Sequence, residues 1–108
     1  DKESGKIALH SAAEFLKKNV SMCFFPEGTR SENGKLGEFK IGAFKIAKEN
    51  HVSIIPITIK GLDSLMPKST LVTKNAGVEI FVHPAIKTES YSLEELMDLS
   101  RQVIASKL

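Results

Sequence analysis

Residues 26–30 read Pro26-Glu27-Gly28-Thr29-Arg30, so a carboxylate, a glycine, a hydroxyl and a guanidinium stand in consecutive positions after a proline. They follow an apolar run, Val20 to Phe25, that stops at that proline. Proline lacks the N–H that a central strand must donate, so it marks the end of a strand. Strand-to-loop junctions are where α/β proteins hold ligands, and this one carries the groups an anion needs. Gly28 lets backbone approach an anion closely. Thr29 offers a hydroxyl donor, and Arg30 a planar fork that matches two phosphate oxygens. Lys40 adds a point charge at the start of the next helix, whose N-terminus itself favours anions. Glu27 cannot bind phosphate. It is suited to orient Arg30 or to accept a hydrogen bond from a substrate hydroxyl. A polar loop with an internal Glu27–Arg30 pair is the alternative that spacing alone leaves open.

Nucleotide-binding loops do not fit. A P-loop places four residues between its glycines and then Lys and Ser or Thr. Here five residues separate Gly28 from Gly34-Lys35, and Leu36 follows. No G-x-G-x-x-G occurs either. The search for a catalytic base among the three histidines is equally unproductive. His10 falls mid-helix near Glu14, His51 at a helix end, and His83 before Pro84 without an obvious carboxylate to orient it. No pair has metal-ligand spacing, and no serine sits in a G-x-S-x-G elbow. The lone cysteine, Cys23, lies in the apolar run and is expected to be a buried thiol in a reducing compartment.

The elements that must position residues 26–30 follow from periodicity. Ser4 is expected to cap a helix over residues 5–18, with Leu9, Ala12, Ala13 and Leu16 on one face. Val20 to Phe25 reads as a strand buried on both sides. Residues 26–38 form a polar loop in which Asn33-Gly34 is a turn signal. A second helix is expected over residues 39–49, with Phe39, Ala43, Ile46 and Ala47 inward. Residues 53–60 form a second strand, in which Pro56 signals an edge, a bulge or a strand start. Strand, helix, strand is a βαβ unit, which predicts parallel pairing with a right-handed crossover. A long connection from Gly61 to Gly77 precedes a third strand over residues 78–82. Ser92-Leu93-Glu94-Glu95 is a capping box that opens the last helix. The fold class is therefore α/β, with a mainly parallel sheet flanked by helices.

Composition sets the frame. The 108 residues are 42% apolar and 26% charged, ordinary for one globular domain or part of one. A net charge of +2 and scattered basic residues give no reason to expect nucleic acid as a partner. No run of about 18 apolar residues could span a bilayer.

Phe25-Pro26-Glu27-Gly28-Thr29-Arg30-Ser31 resembles the FPEGTRS block of the glycerolipid acyltransferases, which include the 1-acyl-sn-glycerol-3-phosphate acyltransferases. Phe39-Lys40-Ile41-Gly42-Ala43-Phe44 resembles the family's F-K-x-G-A-F segment, and Ile54-Ile55-Pro56-Ile57 its proline-containing fourth block. Order and spacing agree. The family's first block, a histidine and an aspartate separated by four residues, has no counterpart. Five residues after His10, His51 and His83 stand Phe15, Pro56 and Thr88. Residues 1–108 are therefore expected to be the C-terminal portion of a single acyltransferase domain, lacking its N-terminal strands and its second block.

The resemblance implies transfer of a fatty acyl group from a thioester, on acyl carrier protein or coenzyme A, to lysophosphatidic acid, giving phosphatidic acid in phospholipid biosynthesis. It implies no bound cofactor. The general-base histidine and its aspartate would lie upstream, leaving no catalytic residue in this chain, which would be inactive alone. Glu27, Gly28, Thr29, Arg30 and Lys40 would hold the acceptor's glycerol and phosphate, and Pro26 and Pro56 would shape the site. The whole protein would be membrane-associated on the cytoplasmic face, and residues 62–74 could touch the lipid surface. Two alternatives stay open: a non-catalytic phospholipid- or anion-binding module, and a related acyltransferase acting on another glycerolipid acceptor.

Overall fold

The computed structural model describes residues 2–27, 36–61 and 77–108. Its elements are α1 (Lys2–Lys17), α2 (Gly42–Glu49), β1 (Ile57–Lys60), β2 (Glu79–Val82), a 3-10 turn (Thr88–Ser90) and α3 (Leu93–Ala105). Residues 62–74, read as a plain surface loop that could touch a membrane, and the turn signal Asn33-Gly34 lie outside the described residues.

Helix α1 begins at Lys2, so Ser4 lies inside it rather than at its cap. Lys and Glu are good helix formers, and nothing before Ser4 stops the helix from adding another turn. The expected inner face holds. Ala12 is buried, and Leu9, Ala13 and Leu16 are half-buried while their neighbours face solvent. The helix ends in a Schellman motif: Val20 N–H donates to the Phe15 carbonyl and Asn19 N–H to that of Leu16. Asn19 takes the left-handed conformation this closure requires, at φ 63°. Leu9 packs on the first residue of α2 so closely that a Cβ on Gly42 would lie 2.8 Å from its Cδ1. Glycine at that position is what allows the two helices to approach.

The segment after α1 departs from expectation. Residues 20–25 form no strand, and their side chains are exposed, Phe25 to 75%. Cys23 is therefore an exposed thiol, not a buried one. A run of apolar residues becomes a strand only when another backbone pairs with it, and none does so here among the described residues. The βαβ unit with parallel pairing is absent from the described residues for the same reason. The sheet has two strands, β1 and β2, and they are antiparallel, with Ile57 opposite Val82 and Lys60 opposite Glu79. The α/β class with flanking helices stands.

Pro56 is buried and directly precedes β1. Its missing N–H costs nothing there, because only its carbonyl is used, accepting from His83 N–H at 3.0 Å. An isolated bridge, Ile54 to Ile86, extends the pairing upstream. Between it and the Ile57–Val82 pair, two residues on one side, 55 and 56, face three on the other, 83 to 85. That extra residue makes a bulge where Pro84 could not have joined the ladder.

Helix α2 starts at Gly42, so Phe39 and Lys40 precede it. Phe39 still faces inward, its ring stacked on Phe44 at 6.0 Å between centroids. Phe44, Ile86 and Leu96 form the core, with Phe39, Ile54, Leu93, Met97 and Leu99 packed around them. Leu96 is fully buried, and burial of such a side chain contributes about 2–3 kcal/mol. The capping box of α3 forms as read: Glu95 N–H donates to Ser92 Oγ, and Ser92 N–H to Glu95 Oε1.

Candidate functional site

The residues on either side of 28–35 are drawn together by backbone and side-chain hydrogen bonds. Lys40 N–H donates to the Pro26 carbonyl at 2.7 Å. Gly37 N–H donates to Glu27 Oε2, also at 2.7 Å. A Cβ on Gly37 would sit only 3.3 Å from that same oxygen, so glycine gives the carboxylate its clear approach. From α3, the Arg101 guanidinium donates to the carbonyls of Leu36 at 2.8 Å and Gly37 at 3.3 Å. Six residues from three parts of the chain thus form a stem that joins the flanks of residues 28–35.

Of the residues singled out in the sequence, Pro26, Glu27 and Lys40 meet at this stem. Gly28, Thr29 and Arg30 lie outside the described residues. Glu27 has one oxygen occupied by the Gly37 N–H, a partner that sequence reasoning did not name. The Lys40 side chain is exposed, and its backbone closes the stem. Pro56 sits elsewhere, at the entry to β1. The N-terminus of α2 adjoins the stem at Ile41, where no side chain caps it and no acidic residue occupies the first turn. Among the described residues nothing caps its amide groups or opposes its positive dipole end. The first turn of α2 thus suits an anion.

His51 and His83 serve the scaffold, and His10 is exposed on α1. His51 ends α2 in the left-handed conformation, φ 54°, and closes a second Schellman motif through Lys48 and Ala47. His83 Nε2 lies 2.7 Å from the hydroxyl of Thr58, which is fully buried. That hydroxyl gives its single proton to the Ile104 carbonyl at 2.8 Å. It must therefore accept from His83, which makes Nε2 the protonated nitrogen. The chain β2–His83–Thr58–α3 fastens the sheet to the last helix. On the same face, Lys107 Nζ lies 5.5 Å above the Phe81 ring. No group of three or more His, Cys, Asp or Glu side chains that could hold a metal occurs among the described residues.

Two further residues were not read from the sequence. Lys48 reaches from α2 to the carbonyls of Thr88 and Tyr91 at 3.0 and 2.6 Å, and Arg101 reaches from α3 to the stem. Both are surface cations on helices, and their partners are backbone carbonyls 40 or more positions away. Nothing in local sequence encodes such partners.

A fold of helices on a small sheet, with the flanks of residues 28–35 joined by hydrogen bonds, has direct counterparts. The Acyltransferase family model matches residues 1–60, more than half the chain. The chain belongs to the acyltransferase family. It is similar to the chloroplastic 1-acyl-sn-glycerol-3-phosphate acyltransferase BAT2 of Brassica napus, 39% identical over 109 residues, with 100% of this chain and 31% of that protein covered. The chloroplastic 1-acyl-sn-glycerol-3-phosphate acyltransferase LPAT1 of Arabidopsis thaliana is 42% identical over 87 residues, covering 80% of this chain and 24% of its own. The crystal structure of the 1-acyl-sn-glycerophosphate acyltransferase PlsC from Thermotoga maritima superposes with a TM-score of 0.84 at 35% identity, over 90% of this chain and 41% of that one. The chain thus spans about a third of the length of the Brassica relative.

Proposed function

We propose that the chain is the acceptor-holding part of a 1-acyl-sn-glycerol-3-phosphate acyltransferase. The substrate is lysophosphatidic acid, the donor a fatty acyl thioester of coenzyme A or acyl carrier protein, and the product phosphatidic acid. In the reaction the acceptor hydroxyl oxygen attacks the thioester carbonyl, the carbon–sulfur bond breaks, and a general base passes the hydroxyl proton to the departing thiol. That base is a histidine contributed by another part of the intact protein. The protein works at a membrane surface on the cytoplasmic face. Among the described residues no helix is long and apolar enough to cross a membrane.

The observation that carries this reading is the closed stem beneath the motif. Pro26–Lys40 and Glu27–Gly37 fix both flanks of residues 28–35. The later flank leads directly into the uncapped first turn of α2. Arg30 binds two phosphate oxygens, Thr29 adds a hydroxyl donor, Gly28 gives the backbone access, and Lys40 adds charge. Glu27 keeps the stem closed and has its second oxygen for a glycerol hydroxyl. Fixing the phosphate places the acceptor hydroxyl for attack, and orientation of this kind lowers barriers by several kcal/mol. In the intact protein, Arg30→Ala should raise KM for lysophosphatidate by about tenfold or more while the thioester KM stays put, as expected for loss of a bidentate charge-assisted pair. An unchanged lysophosphatidate KM would remove Arg30 from the phosphate site.

A further inference from the structure

The peptide unit between Leu36 and Gly37 is held at both of its poles. In a trans peptide the carbonyl and the N–H point in opposite directions. Here the Leu36 carbonyl accepts from the Arg101 guanidinium, and the N–H of the same unit, on Gly37, donates to Glu27. The next carbonyl, that of Gly37, is taken by Arg101 as well. A cation on one side and a carboxylate on the other therefore fix this peptide against rotation about its flanking bonds. Three residues later Lys40 N–H is bound to Pro26.

We infer that Arg101 is a positioning residue for the acceptor site: through the Leu36 and Gly37 carbonyls it sets the exit of the loop that begins at Gly28. The inference rests on the reading of that loop as the phosphate site. Arg101 touches neither substrate nor reacting atoms. Its work is to remove freedom from the stem before the acceptor arrives, so that phosphate binding does not have to order it. It also directs two carbonyl oxygens toward α3, and carbonyls left free to turn would present negative dipoles to an anion. The guanidinium suits this because its fork reaches two acceptors from one side chain. Sequence distance is no obstacle, because α3 is itself anchored by the buried Leu96 and by the Thr58–Ile104 bond.

The test is steady-state kinetics of the intact protein with lysophosphatidate, joined to thermal melting. Arg101→Met should raise KM for lysophosphatidate about five- to twentyfold, the effect of one or two solvent-exposed charge-assisted hydrogen bonds. The thioester KM, kcat and the melting temperature should stay close to their starting values. Arg101→Lys should recover part of the loss, since Lys48 shows in this chain that an ammonium can serve two carbonyls. Because Arg101 acts through the loop, the double variant Arg30→Ala/Arg101→Met should bind lysophosphatidate no worse than Arg30→Ala alone. The inference is overturned if Arg101→Met leaves the lysophosphatidate KM unchanged while Arg30→Ala raises it; the phosphate reading then survives. It is equally overturned if Arg101→Met degrades both KM values, kcat and melting together, which marks a merely structural role. If Arg30→Ala has no effect, the phosphate reading itself fails and takes this inference with it.

Discussion

Residues 28–35 and 62–76 are each bounded by described residues, and the two sets of flanks are joined by different means. Around 28–35 the closure is mostly polar and draws on side chains: Glu27 to Gly37, Arg101 to Leu36 and Gly37, and one backbone bond from Lys40 to Pro26. Around 62–76 the closure among the described residues is backbone alone. Lys60 pairs with Glu79 at the end of the ladder, and Gly61 lies against Gly77. The ladder bonds that close this stem run only between its own two strands. A stem held by a helix 64 or 65 positions away ties its geometry to the whole core. The difference separates a connection that only has to close from one that has to close in a particular shape.

The backbone stem offers the largest effect. Gly61 has φ 92°, and a Cβ there would lie 2.6 Å from the Gly77 carbonyl oxygen. Both faults are in backbone, which has no flexible end to move aside. Gly61→Ala should cost about 2 kcal/mol or more, combining left-handed strain with the clash, as read from urea unfolding of the intact protein. The lysophosphatidate KM should be unaffected. A rise in that KM equal to the one from Arg101→Met would erase the distinction between the two stems.

A smaller effect, of opposite sign, tests whether helix stability alone governs the polar stem. His51 closes α2 at φ 54°, a conformation that disfavours any residue with a Cβ. His51→Gly should stabilise the protein by about 0.5–1 kcal/mol. Because the substitution is at the far end of α2, the acceptor KM should not follow. If stabilisation lowered that KM, helix order rather than the Glu27–Arg101 grip would be setting the site.

How much could be read from sequence follows the same division between local and distant. The inner face of α1, the capping box at Ser92 and Glu95 and His51 as a helix end all depend on neighbours a few residues away. Each was legible. The FPEGTRS block named the family for a related reason, since its chemistry is packed into seven adjacent residues. Val20 to Phe25 failed as a strand because a strand is a relation between two backbones, and apolar composition records only one of them. The pairing of β1 with β2 could not be assigned for the same reason. Arg101, Lys48 and the His83–Thr58 bond were invisible because each joins residues 25 to 65 positions apart, and surface cations look alike until their acceptors are placed. Ser4 failed as a cap because capping preference is weaker than the gain from adding another turn of good helix formers.

The smallest effect is also the most specific to the polar stem, because it works through the start of the helix that carries Arg101. The Ser92 backbone N–H, then the Ser92 hydroxyl, hold the Glu95 carboxyl below its ordinary value of 4.5, with the Lys48 charge adding to them. A carboxyl whose folded value is lowered gives stability that is full above its unfolded value and is lost as pH falls through the folded one. Acidification below about 4.5 should therefore loosen the first turn of α3. Fraying there, through Leu96 and Arg101, should reach the polar stem before the backbone stem. In hydrogen-exchange measurements across that range, protection at Gly37 should fall ahead of protection at Thr58 and Phe81, a hydrogen-bonded pair of the ladder. Glu95→Gln, which keeps an acceptor but does not titrate, should remove this order of events. Simultaneous loss at both sites in the unmodified protein would show that the two stems are not independently held.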